Sequence, residues 1–197
     1  MDITEKTVRM EKLRRQIALC ERCRLHKTRT HTVPGEGSLE SDIMFIGEAP
    51  GRNEDLEGKP FVGRAGSVFD KLLESIRLTR DQIYLCNILK CRPPENRPPL
   101  NDEVHACVGS LDIQIRVVNP KVIATLGNYA TTTIFEKFSL APAKISQVHG
   151  KTFAMETSMG RKQIIPLFHP AVVAYDGSKL DMLIKDFRII KKVLEGK

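Results

Sequence analysis
Four of the chain's five cysteines fall into two pairs, Cys20-x2-Cys23 and Cys91-x15-Cys107. If one metal centre holds all four, the fold must bring an N-terminal segment against two points far along the chain. Soft, negatively charged sulfur suits tetrahedral zinc or an iron–sulfur cluster, and spacing alone does not separate them. Disulfides, ordinary buried thiols and a chance pairing are the competing readings. The disulfide reading is the weakest, because residues 1–17 are charged throughout and lack the apolar run of a secretory leader, which points to a cytoplasmic protein.

The chain has 197 residues, 41% hydrophobic and 28% charged, and no Gly/Ser-rich or Pro-rich linker divides it. The expectation is one domain over 1–197, with no apolar stretch near the roughly 20 residues of a membrane helix. Lys and Arg outnumber Asp and Glu by 31 to 24. Met1–His31 holds nine of those bases against four acids, so the first cysteine pair lies in a basic segment suited to a polyanion. A solvated helix face explains such a run equally well.

Apolar runs and helical periods alternate. Thr4 is placed to cap a helix carrying Met10, Leu13, Ile17 and Cys20. Asp42–Ile46 reads as a strand, Val68–Ile76 as a helix, and Ile83–Leu89 as a second strand. Asn101 caps a long helix through Val118, and Lys121–Leu126 is a third strand. Asn128 caps a short helix, Ile145–Val148 and Thr152–Met155 pair as a hairpin, Gln163–Phe168 is a last strand, and Ser178 opens a C-terminal helix. This order predicts an α/β protein of three layers, α/β/α, around a mainly parallel sheet of about four strands. Ligands of such folds gather at the carboxyl ends of the strands. Three polar motifs follow strands or end them: Gly47-Glu48-Ala49-Pro50-Gly51, Asn87 to Cys91, and His169-Pro170-Ala171. They are expected to meet in one cleft.

Each motif carries a chemical reading and a plainer one. Two glycines around a proline let backbone N–H groups approach a ligand, although many strand-to-helix turns look alike. His169 at a loop mouth can donate to a developing oxyanion; lone loop histidines are more often surface residues. Phe61 among Gly, Pro and Arg suits base stacking or anchors the core. Asn87 presents a donor and an acceptor, matching a nucleobase edge or merely satisfying backbone.

Together these residues resemble the family 4 uracil-DNA glycosylases, the iron–sulfur branch of their superfamily. The resemblance rests on Cys20-x2-Cys23, Gly47-Glu48-Ala49-Pro50-Gly51 with Glu54-Asp55, Gly58-Lys59-Pro60-Phe61-Val62-Gly63-Arg64-Ala65-Gly66, Asn87-x3-Cys91-Arg92-Pro93-Pro94 with Asn96-Arg97, Cys107, and His169-Pro170-Ala171. It implies a [4Fe-4S] cluster on Cys20, Cys23, Cys91 and Cys107 that staples the fold, and hydrolysis of the uracil–deoxyribose bond in single- or double-stranded DNA. It further implies uracil contacts from Gly47, Glu48, Ala49, Glu54, Phe61, Asn87 and His169, with Glu48 and His169 catalytic. By the same resemblance DNA is held by Arg64, Arg92, Arg97, Val172 and Tyr175, the protein works as a monomer, and a sliding clamp is a candidate partner. Cys86 is assigned to the strand core. The rival from another class is a non-catalytic DNA-binding module on the same fold, as in a replication accessory domain.

Overall fold
The computed structural model describes residues 1–196. In chain order its elements are α1 (Ile3–Ala18), β1 (Glu36–Gly37), β2 (Ile43–Gly47), α2 (Arg52–Glu57), α3 (Arg64–Ser75), β3 (Tyr84–Asn87), α4 (Asn101–Val118), β4 (Val122–Leu126), α5 (Asn128–Lys137), α6 (Ile145–Val148), β5 (Phe153–Thr157), β6 (Gly160–Leu167), α7 (Val172–Tyr175) and α8 (Leu180–Leu194). The strands form one sheet in the order β1-β3-β2-β4-β6-β5. β3, β2, β4 and β6 run parallel, and β1 and β5 close the edges antiparallel.

β2 and β4 are buried along their whole length and almost wholly apolar because both faces are covered. Alternation sends Met44, Ile46, Tyr84 and Ile123 to the side of α1, α4 and α5. Ile43, Phe45, Leu85 and Ala124 face α3 and α8. The three-layer expectation therefore holds, and the four parallel strands are those read from sequence.

The strand count of about four is corrected to six. β1 is two residues long and carries no alternation to read. The predicted hairpin is also corrected. Ile145–Val148 is a single helical turn that ends where Gly150, at φ +69°, donates to Pro166 O at 2.8 Å. The real hairpin joins β5 to β6, with Thr157 opposite Gly160 and that glycine at φ +90° making the reversal.

Helix caps shift by one or two residues. Asp2 rather than Thr4 caps α1, its Oδ1 accepting from Glu5 N at 2.9 Å. Asn101 and Asn128 are first helical residues, preceded by Leu100 and Gly127 as the caps. Asp176 caps a short turn from Gly177, with α8 following from Leu180.

Candidate active site
β2, β3, β4 and β6 end side by side, so Gly47, Asn87, Gly127 and the His169 loop lie along one rim of the sheet. The three motifs line a single open cleft of about 620 Å³, room for a nucleotide rather than a base alone. Gly47 O and Glu48 O accept from Ile88 N at 2.9 Å and Leu89 N at 3.1 Å, so the ladder continues past both strands. A side chain at Gly47 would run into Asn87 Oδ1 and the Phe61 ring, which is why this position takes glycine. Asn87 is 2% exposed, and its Oδ1 is buried with no hydrogen-bond donor among the described residues. Leaving such an acceptor unpaired costs about 1–3 kcal/mol.

Phe61 sits at φ +54°, a conformation costly for a bulky residue. Three contacts hold it. Arg80 Nη2 donates to Phe61 O at 2.6 Å, and Glu54 Oε1 accepts from Val62 N at 3.0 Å and Gly63 N at 2.9 Å. The absence of a side chain at Gly66 leaves room for Phe61 O. The ring packs against Phe69, centroids 5.3 Å apart, and stacks toward the His169 ring at 5.4 Å and 25°. Phe61 is thus both a core anchor and a cleft-lining ring.

Burial drives His169 down to about 4, against the opposing charge of Glu54. It is therefore neutral at pH 7. Its Nδ1 lies 3.1 Å from Ala171 N and accepts from it, which assigns the single proton to Nε2 and makes that atom a donor. Burial likewise raises the Glu48 carboxyl.

At the rim, Arg64, Arg97, Val172 and Tyr175 line the cleft, and Tyr175 is 92% exposed. Arg92 lies outside the lining, with its Nε donating to Asn96 Oδ1 at 2.7 Å. Arg97 forms a fork with buried Glu103, at 2.9 and 2.6 Å, and so fastens a turn in which Glu95 and Asn96 both have positive φ.

Cys20, Cys23, Cys91 and Cys107 line one small, mainly apolar cavity with Ile17, Leu25 and Leu89. Arg22 Nε reaches Cys20 Sγ and Arg29 Nη1 reaches Cys91 Sγ, each at 3.2 Å. Burial works to raise the Cys20 thiol, yet the Arg22 hydrogen bonds and charge, with Arg29, hold it below its usual value. Burial pushes Cys91 up to about 11 and raises Cys107. Among the described residues no three His, Cys, Asp or Glu side chains converge on a single-ion position. Four thiols around a cavity ringed by cationic donors nevertheless fit a cysteine-held cluster of several metal atoms, whose net charge is negative. Cys86 lies in β3, wholly buried in the core and outside this cavity, as assigned from sequence.

The segment after the first cysteine pair joins the two cavities. Thr30 N donates to the Asp55 carboxylate, His31 N to Asp55 O at 3.1 Å, and Val33 N to Lys90 O at 2.7 Å. Arg80, Lys90, Glu103 and Gln114 carry much of this positioning. No sequence signal marked them, since a polar residue destined for burial reads locally like any other.

Residues 34–195 match the family model described as the uracil DNA glycosylase superfamily. The chain belongs to that superfamily. It is 41% identical over 185 residues to a type-4 uracil-DNA glycosylase of Sulfurisphaera tokodaii, covering 93% of this chain and 84% of that protein. It is 44% identical over 176 residues to the type-4 uracil-DNA glycosylase of Archaeoglobus fulgidus, covering 89% and 88%. The protein of the same name from Saccharolobus solfataricus is 41% identical over 183 residues, covering 92% and 85%. These likenesses place the chain in the type-4 branch. Among the described residues no helix is long and apolar enough to cross a membrane.

Proposed function
We propose that this chain is a DNA-repair glycosylase that hydrolyses the N-glycosidic bond of uracil in DNA, releasing free uracil and leaving an abasic site. The donorless, buried Oδ1 of Asn87 in the cleft carries this reading. It needs an N–H, and uracil N3–H supplies one while the Asn87 amide donates to O4; cytosine reverses both groups and is refused. Reaching the site requires the nucleotide to leave the duplex, at a cost of a few kcal/mol that a U·G mismatch lowers. The base then lies against Phe61, and Glu54 narrows the space beside C5, where the thymine methyl would clash. Gly47 and Ala49 line the base through their backbone.

As the C1′–N1 bond breaks, its electron pair passes to uracil and charge gathers on O2. The Nε2–H of neutral His169 donates to that oxygen, with loop N–H groups assisting. Glu48 holds the attacking water, whose oxygen adds to C1′ and whose released proton neutralises the departing uracil anion. Arg64, Arg92 and the rim residues Val172 and Tyr175 meet the DNA, and Arg97, tied to Glu103, holds its loop against the backbone. Cys20, Cys23, Cys91 and Cys107 would hold a [4Fe-4S] cluster that supplies a structural tie and no redox step; Arg22 and Arg29 offset its charge. The working form is a monomer, and a sliding clamp is the partner to test.

The test uses single- and double-stranded oligonucleotides bearing uracil, a thymine mismatch or hypoxanthine, incubated with enzyme and cleaved with alkali. Cleavage at uracil alone is expected. No cleavage on any substrate would replace the enzyme with a DNA-binding module, and hypoxanthine cleavage would overturn the assigned base choice.

A further inference from the structure
Lys90 lines the cysteine cavity and bonds to Asn87, which lines the cleft. It is 2% exposed and lines the cysteine cavity, yet its Nζ donates to Asn87 O at 2.5 Å and to Gln114 Oε1 at 2.6 Å. Among the described residues no carboxylate pairs with it. Gln114 is itself wholly buried and donates onward to Pro34 O at 2.5 Å and Tyr84 OH at 3.0 Å, so the acceptor that seats the ammonium is immobilised from behind.

An ammonium buried without a carboxylate is costly, and an apolar side chain of similar length would fill the space more cheaply. Its bonds show what it does instead. The chain leaving β3 is held on one side by Gly47 O and Glu48 O, which accept from Ile88 N and Leu89 N. Lys90 closes the other side by binding the carbonyl three residues before it. The peptide carbonyl of Asn87 is thereby fixed, and with it the base of the side chain whose Oδ1 has no donor among the described residues.

We propose that Lys90, seated by Gln114, is a positioning residue for base recognition, setting the direction in which the Asn87 amide meets the flipped base. This rests on the assignment of Asn87 as the uracil contact. Lys90 touches no substrate; its effect on the base passes through Asn87, while its flank lines the cysteine cavity.

The experiment compares wild type, Lys90→Met, Gln114→Leu, Asn87→Ala and the Asn87→Ala/Lys90→Met pair by single-turnover excision with enzyme in excess. Four readouts are kept apart: maximal rate per active molecule, reaction amplitude, affinity for undamaged duplex, and visible absorbance. Misplacing a contact by about 1 Å costs on the order of 100-fold, so Lys90→Met is expected to slow the maximal rate roughly 10- to 100-fold and Gln114→Leu roughly 3- to 10-fold. Duplex affinity and absorbance should stay within about 2-fold of wild type, and the Lys90→Met loss should vanish when Asn87 is already alanine. Rates per active molecule within about 2-fold of wild type in both single variants would overturn the proposal, as would losses confined to amplitude and absorbance. Should Lys90→Met fail to fold, Gln114→Leu decides on the same criterion. A normal rate in Asn87→Ala would remove the assignment of Asn87 itself, whereas a slow Asn87→Ala beside normal Lys90→Met and Gln114→Leu would remove only the role of Lys90.

Discussion
The cleft and the cysteine cavity are reached from the same end of β3, yet they are built in opposite ways. Around the cleft the protein supplies nearly every bond itself: Glu54 and Arg80 hold the Phe61 loop, Ala171 N holds His169, and one acceptor, Asn87 Oδ1, is left over. Around the cysteines the bonds run toward sulfur, with Arg22 and Arg29 donating to two of the four thiols and burial opposing thiolate in Cys91 and Cys107. The first region is tied by its own hydrogen bonds without a ligand. The second is a set of soft donors whose geometry a metal centre would complete. Preorganisation serves a site that must discriminate; a structural tie needs only affinity and a compensated charge.

The largest expected effects fall on the second region. If Cys20, Cys23, Cys91 and Cys107 hold the proposed cluster, alanine at any of them removes its visible absorbance and lowers the melting temperature by about 10 °C or more, because metal-binding free energy is then folding free energy. Cys86→Ala leaves the absorbance intact; its loss would move Cys86 into the ligand set. If the bonds through Thr30, His31 and Val33 make the two regions one unit, the four ligand variants lose uracil excision as well. Retained excision would show them independent.

Next comes His169→Ala, expected to slow single-turnover excision about 100- to 1,000-fold with DNA affinity unchanged, as loss of an oxyanion donor does. A smaller effect comes from pH. His169 titrates near 6.5 when unfolded and at about 4 when folded, so the unfolded state binds more protons between those values. Wild type therefore loses up to about 3 kcal/mol of stability from this group as pH falls through that window, and none above it. His169→Asn escapes this loss, so denaturant titrations of the two proteins should converge toward pH 4. Parallel curves would mean that His169 protonates as readily in the folded protein as in the unfolded one. The smallest effect is on the rim: Arg64→Ala should reduce the slope of log affinity against log salt by about one while leaving base choice alone.

Much of this arrangement was legible in the chain. The four parallel strands announced themselves as short, mainly apolar runs because their central residues are buried on both faces, and the polar motifs closing them had to meet at one rim. β1 and the β5–β6 hairpin were missed for local reasons: two residues carry no period, and Gly160 takes its reversal from φ +90° rather than from a familiar turn pair. Phe61 was weighed as stacker or core anchor, and packing made it both. Arg97 read as a DNA contact; the structure adds a fork to Glu103, six residues on, which the Glu95–Asn96 turn brings within reach.

The sequence by itself determined the residue types and their order: two cysteine pairs, a glycine loop, an asparagine closing a strand, and a histidine after the last strand. Those depend on composition and period, which are local. Only the tertiary structure decided protonation and pairing. His169 is neutral because burial makes it so, Asn87 Oδ1 is buried with no donor among the described residues, and Lys90 turns from solvent to bond Gln114 on α4. Such properties depend on what lies within a few ångströms in space, and no reading along the chain contains that distance.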